Sequence, residues 1–229
     1  MSITFNKKQQ QVINELNQNI LLSAGAGTGK TNVLSYRVAN ILNKNRANAD
    51  EILCLTFTNK ACRELKNRIT SQLDFETANK ITIRTIHGFA YQVITTTAKK
   101  AQTIFKEFVI FDDEDQKTLI RQTIANFPKA RALDIQYIVN CIEQLKQERA
   151  LKHIYTEDIE ADYTTIYHQH LKFNKTFNQQ QSDNLTKFFQ FDGLNIIINY
   201  ELALQQMHGL DYKDLIANAY RLFQDENIC

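Results

Sequence analysis

The sequence is short of chain-breaking residues. Its 229 residues include one proline and six glycines, so long helices are the expected outcome. The four cysteines (Cys54, Cys62, Cys141 and Cys229) lack both the paired spacing of a zinc site and any disulfide framework. Cys54 lies inside an apolar run and reads as a small core residue. No apolar run approaches the roughly 20 residues that a membrane-crossing helix needs, and residues 1–6 have no signal-peptide core. These shortages exclude membrane, secreted disulfide-rich and zinc-finger readings, and a reducing cytoplasm is the expected compartment. A hydrophobic content of 43% with 23% charged residues describes a folded chain of one or two domains, large enough to bury a core without cross-links.

The net charge of +2 hides an asymmetry. Residues 1–104 carry 14 Lys and Arg against 6 Asp and Glu, whereas residues 105–229 carry 13 against 19. A basic first part suits polyanions, although a charged face is more often simply solvated.

The first hundred residues alternate in the α/β manner. Residues 20–23 form a short apolar run, expected as a first strand, and end in a glycine-rich turn. A helix is expected over 31–42, a buried strand over 52–57, a helix over 59–73, and a period-two strand over 81–85 followed by a helix from about His87. That order implies a parallel sheet with right-handed crossovers. After about residue 105 the pattern becomes helical, with helices expected over 113–127, 134–149, 158–173 and 182–207, an interruption at Gly209, and a last helix over 211–223.

Between the first expected strand and helix runs Ala24-Gly25-Ala26-Gly27-Thr28-Gly29-Lys30-Thr31, a phosphate-loop pattern whose first glycine is replaced by alanine. Glycines let successive backbone N–H groups turn inward around a β-phosphate, and the following helix N-terminus adds positive potential. Lys30 is placed to reach the β and γ phosphates, and the Thr31 hydroxyl to ligate Mg²⁺. The pattern implies a nucleotide with Mg²⁺ and says nothing of a second substrate.

Several further segments, taken in order, resemble the UvrD/PcrA/Rep group of superfamily 1 DNA helicases. Phe5-Asn6-Lys7-Lys8-Gln9 is similar to that family's Q motif, and residues 23–31 to its first motif. Leu55-Thr56-Phe57-Thr58-Asn59-Lys60-Ala61, with Glu64-Leu65 and Arg68-Ile69, resembles its TFTNKAA segment. Ile83-Arg84-Thr85-Ile86-His87-Gly88-Phe89 resembles its TFHS segment, and Gly209-Leu210-Asp211-Tyr212-Lys213-Asp214-Leu215 its LDFxDLL segment.

The resemblance implies a RecA-like P-loop parallel sheet flanked by helices, with an inserted all-helical subdomain. Residues 1–104 would be the first part of the motor domain, 105–208 the insertion, and 209–229 the return. It implies an ATP-driven translocase on single-stranded DNA, completed by a second motor domain elsewhere in the helicase chain. In that reading Gln9 contacts adenine, Ala24, Gly25, Ala26, Gly27, Thr28, Gly29, Lys30 and Thr31 hold phosphate and Mg²⁺, and Phe57, Thr58, Asn59, Thr85 and His87 line the DNA. An aromatic ring among polar and basic groups is what sequence-independent single-strand binding uses.

Other uses stay open for some of these residues. Phe57 ends an apolar run and suits a core as well as a base; His87 suits a helix start; Arg37 suits a carboxylate partner or the nucleotide. The sequence also departs from the family. Asn32 stands where relatives often have an arginine against adenine, Gly88 follows the histidine where serine is usual, and Ile86 replaces an aromatic.

Hydrolysis needs an acidic pair after a strand. The resemblance puts it beyond Cys229, so the isolated chain is expected to hydrolyse ATP poorly. Phe108-Val109-Ile110-Phe111-Asp112-Asp113-Glu114 has the shape of such a strand, with helix capping by Asp112 or Asp113 as its competitor. Two other functions therefore remain in play: a self-sufficient P-loop ATPase or kinase using Asp113 and Glu114, and a non-enzymatic single-strand-binding module.

Overall fold

The computed structural model describes residues 4–25, 27–101, 107–156, 158–173 and 179–224. The chain divides into two compact units, residues 1–89 and 90–229.

In the first unit, α1 (Lys7–Asn14) is opened by a capping box in which Asn6 and Gln9 satisfy each other's backbone N–H. Then follow α2 (Lys30–Asn43), β1 (Leu53–Thr56), α3 (Asn59–Thr70), the short α4 (Phe75–Lys80), β2 (Thr82–Thr85) and the start of α5 (Ile86–Ala101). β1 and β2 are parallel, with Cys54 opposite Ile83 and Thr56 opposite Thr85. One face of this pair is packed: Cys54, Leu65, Ile69, Ala78, Ile81 and Val38 are buried together. Leu65 and Ile69, four apart, put one stripe of α3 into that core. Burial pushes the Cys54 thiol up to about 11, as befits an inert core residue. The other face carries Leu53 and Leu55 at 43% and 42% exposure, unusual for parallel strands, whose two faces are normally covered.

The expected first strand does not form. Residues 20–23 are irregular and exposed, with Leu21 97% exposed. An isolated strand leaves its backbone N–H and C=O groups without ladder partners, and among the described residues no strand lies alongside this run.

The second unit continues α5 and adds β3 (Val109–Phe111), α6 (Asp113–Ile124), α7 (Ile135–Leu151), α8 (Ile159–Phe173), α9 (Gln179–Gln190), α10 (Gly193–Gln206), β4 (Gly209–Asp211) and α11 (Tyr212–Phe223). β3 and β4 are parallel neighbours, Val109 opposite Gly209, so helices α6 to α10 form the connection between two adjacent strands. The main core gathers Ile120, Ile138, Ile142, Leu145, Ile166 and Phe188, each at most 1% exposed, with Ile196 and Tyr200. A second core joins Ala90 and Ile94 of α5 to Leu215, Ala219 and Leu222 of α11.

Two expectations are refined here. The helix anticipated over 182–207 is two helices, broken where Asp192 adopts φ 63° and Gly193 lies against Phe188. Asp112 is the N-cap of α6, its carboxylate accepting from the amides of Glu114 and Asp115 while the Asp115 carboxylate accepts from the Asp112 amide. No helix among the described residues is long and apolar enough to cross a membrane.

Candidate functional site

Thr56 and Thr85 are register partners in a parallel pair, so both strands release their following residues at one end. Phe57, Thr58 and Asn59 leave β1 there, and Ile86, His87 and Gly88 leave β2. Carboxyl ends of parallel strands are where α/β sheets usually place their ligands. Phe57 is 88% exposed, which settles the choice between core and surface. Thr58 is fixed as the N-cap of α3, its hydroxyl accepting from Ala61 at 3.1 Å, and exposed Asn59 begins that helix. The Thr85 hydroxyl accepts from the Gly88 amide at 3.0 Å, and His87 is exposed in the first turn of α5. A Cβ on Gly88 would stand 3.0 Å from that hydroxyl, so the glycine keeps this turn close.

The phosphate-loop residues are exposed or half-buried; Ala26 lies outside the described residues. Gly27 (φ 75°) and Gly29 (φ 84°) take left-handed backbone that a side chain would strain. Gly29 is also the N-cap of α2 and offers no side-chain oxygen, so the first amides of this 14-residue helix carry no side-chain cap. The Lys30 ammonium donates to the carbonyls of Ala24 (2.7 Å) and Gly25 (2.5 Å). Thr28 closes the loop through a 2.8 Å bond to the Gly25 carbonyl, and Thr31 is exposed in the first turn of α2. Gln9 reaches this loop from α1, its side-chain amide donating to the Thr28 carbonyl at 3.1 Å.

α1 is itself held by α2. Arg37 donates to the carbonyls of Val12 (2.6 Å) and Glu15, and Asn40 to that of Ile13 (2.9 Å). The role left open for Arg37 in the sequence is therefore to hold the C-terminal turn of α1. Asn32 of α2 accepts a hydrogen bond from Arg68 of α3. Neither contact carries a local sequence signal, since the partners lie 22 to 36 residues apart. Within the first unit, the structure thus joins Gln9 to the phosphate loop, and Phe57, Thr58 and Asn59 to Thr85 and His87.

A phosphate-loop segment thus opens α2, and the carboxyl ends of the parallel strands β1 and β2 present an exposed aromatic among hydroxyl and amide groups. Residues 5–229 match the N-terminal domain of the UvrD/REP helicases, and the chain belongs to that family. It is 27% identical over 218 residues to the ATP-dependent DNA helicase PcrA of Leuconostoc citreum, covering 91% of this chain and 29% of that protein. To PcrA of Staphylococcus aureus it is 28% identical over 220 residues, 96% of this chain and 26% of the relative. A probable DNA helicase II homolog of Mycoplasma genitalium is 29% identical over 222 residues, 97% of this chain and 29% of the relative. The chain spans under a third of the length of these curated relatives.

Proposed function

We propose that this chain is the ATP- and single-stranded-DNA-binding N-terminal portion of an ATP-dependent DNA helicase or translocase of the cytoplasm. The observation that carries the reading is the register of β1 and β2, which puts Phe57, Thr58 and Asn59 at the same sheet end as Thr85 and His87. Phe57 offers a ring face to any base, while Thr58, Asn59, Thr85 and His87 offer hydrogen bonds to sugar and phosphate. The basic surplus of residues 1–104 draws the polyanion. The helical connection between the neighbouring strands β3 and β4 supports a helical insertion over 105–208, opened by the short strand β3, in a RecA-like motor domain that begins with residues 1–104 and resumes at 209–229.

The loop residues fit a nucleotide triphosphate. Left-handed Gly27 and Gly29 leave room for phosphate oxygens, and the Lys30 ammonium rests on two backbone carbonyls that a phosphate can replace as partners. Gly25, Ala26 and Thr28 complete the loop, Thr31 is the hydroxyl for Mg²⁺, and Gln9 meets the adenine. Mg²⁺, when bound, neutralises charge between the phosphates. Lys30 then steadies the charge that builds on the transferred phosphoryl group.

In this reading the carboxylate pair that hydrolysis needs follows the α11 segment in a longer helicase chain, as the greater length of the relatives allows, and a second motor domain completes the enzyme. Of the acids at the end of β3, Asp112 caps α6, and exposed Glu114 pairs with Lys117 at 2.8 Å. Turnover measured with and without a single-stranded oligonucleotide, with Lys30→Ala as control, tests the reading. The expected result is DNA binding without Lys30-dependent turnover. DNA-stimulated turnover that Lys30→Ala abolishes would return Asp113 and Glu114 to candidacy and overturn it.

A further inference from the structure

The second unit encloses a charge cluster that the proposed function does not use. The Lys146 ammonium of α7, 3% exposed, lies 2.5 Å from Asp211 of β4, 2.8 Å from Asp214 of α11 and 2.8 Å from Glu201 of α10. Arg149, one turn along α7, is shared between Glu201 (3.2 Å) and Asp162 of α8 (2.7 Å). Four carboxylates thus share two cations in a region where unpaired charge is costly.

The other groups around Asp214 do not balance this excess. Tyr200 of α10 donates its hydroxyl to Asp211 at 2.9 Å, and Tyr163 of α8 is a buried neutral phenol whose ionisation burial opposes. Arg221 of α11 stacks on the Tyr155 ring, 5.0 Å from its centroid, with Arg149 4.7 Å from the same centroid. Glu148 is taken by Lys152, and Lys213 by Glu143. His208 and Glu107 border the same cavity of about 720 Å³ as Asp214.

We propose that a bound proton completes this cluster: Asp214 carries it at neutral pH, clasping α11 to α7 and α10, and its loss slackens that clasp. Asp214 is the natural carrier because its carboxyl has the weakest claim on the cations. Asp211 accepts from Lys146, from Tyr200 and from the Asp214 amide, and although burial raises it, Lys146 holds it below the usual carboxylate range. Glu201 has both Lys146 and Arg149. Asp214 has Lys146 and the Asp211 amide, and burial, opposed by Lys146 and reinforced by Asp211 and Glu201, pushes it up to about 8. With 15% of its side chain exposed, it can exchange a proton without unfolding of the chain.

The folded chain then keeps a proton that the unfolded chain releases near pH 4, so this contribution to stability falls from about pH 4 to about pH 8 and is flat above. The test compares thermal midpoints of the 229-residue chain and of Asp214→Asn from pH 5 to 9.5. The variant, which needs no proton, gains on the wild type up to about pH 8, after which the difference is constant. A difference that stays the same at every pH overturns the proposal. Should the variant fail to fold, ¹³C-carboxyl shifts of the aspartate-labelled wild type decide. A resonance assigned to Asp214 that titrates near pH 8 supports the bound proton, and one that titrates near pH 4 removes it. Slackening is read from amide hydrogen exchange in α11, corrected for intrinsic rates. Protection lost between pH 7 and pH 9 in the wild type, and kept in Asp214→Asn, supports the clasp; equal protection in both proteins at both pH values overturns it.

Discussion

The Gln9 side chain donates to the Thr28 carbonyl across 19 residues of sequence, while its carbonyl oxygen accepts from the Asn6 amide at 2.9 Å. One side-chain amide therefore both starts α1 and ties it to the phosphate loop. Gln9→Ala removes both bonds and is expected to cost about 1–2 kcal/mol of stability, since each net hydrogen bond contributes roughly 1 kcal/mol. In the proposed function it also weakens ATP-analogue binding several-fold. Urea unfolding and fluorescent-nucleotide titration of the same preparation measure the two effects. Unchanged nucleotide affinity would confine Gln9 to capping.

Arg37 gives a second handle on the same coupling. Its guanidinium bonds two carbonyls at the end of α1. Arg37→Met is expected to cost about 2 kcal/mol, because hydrogen bonds from a charged donor contribute roughly 1.5–3 kcal/mol. Arg37→Lys should recover less than half, because an ammonium cannot reproduce the planar fork. Denaturant midpoints of the three proteins check the order.

These contacts show where the sequence was readable. The elements around Cys54, Leu65 and Ile69 were legible because their apolar spacing is local, and Asp112 as a cap because its carboxylate acts within three residues. Asn6 and Gln9 carry the spacing of a capping box, which the resemblance masks by pointing Gln9 at the nucleotide. The run at 20–23 looked like a strand because apolar spacing reports a tendency, whereas a ladder needs a neighbour. The break at Asp192 was hidden by the apolar spacing that continues on both sides. The burial of Lys146 had no signature at all, because its partners Asp211 and Asp214 lie 65 and 68 residues away.

Phe57 separates binding from folding. At 88% exposure it contributes little to the core, so Phe57→Ala should change stability by less than about 0.5 kcal/mol. Under the proposed function it should weaken single-stranded DNA binding by about 1–3 kcal/mol, the usual contribution of stacking to one base. Anisotropy titrations with oligonucleotides of different sequence should show a similar loss for each. Unaltered affinity would remove Phe57 from the DNA path.

The turn between α9 and α10 depends on the glycine at 193. A Cβ on Gly193 would stand 2.5 Å from a ring carbon of Phe188 and 2.6 Å from its backbone carbonyl oxygen. The ring can shift, but the carbonyl is fixed by the Phe191 amide at 3.0 Å. Gly193→Ala should therefore cost about 3 kcal/mol, at the upper end for overpacking. Gly27→Ala provides the contrast, since nothing lies within 4 Å of its added Cβ and the expense is backbone strain alone, about 1–2 kcal/mol at a φ of 75°. Adding Phe188→Leu to Gly193→Ala relieves the ring contact but not the carbonyl, and it opens space in the core that Phe188 fills. Rescue should therefore be incomplete. Full recovery of the thermal midpoint in the double variant would mean that the ring, and not the backbone, sets the need for glycine at 193.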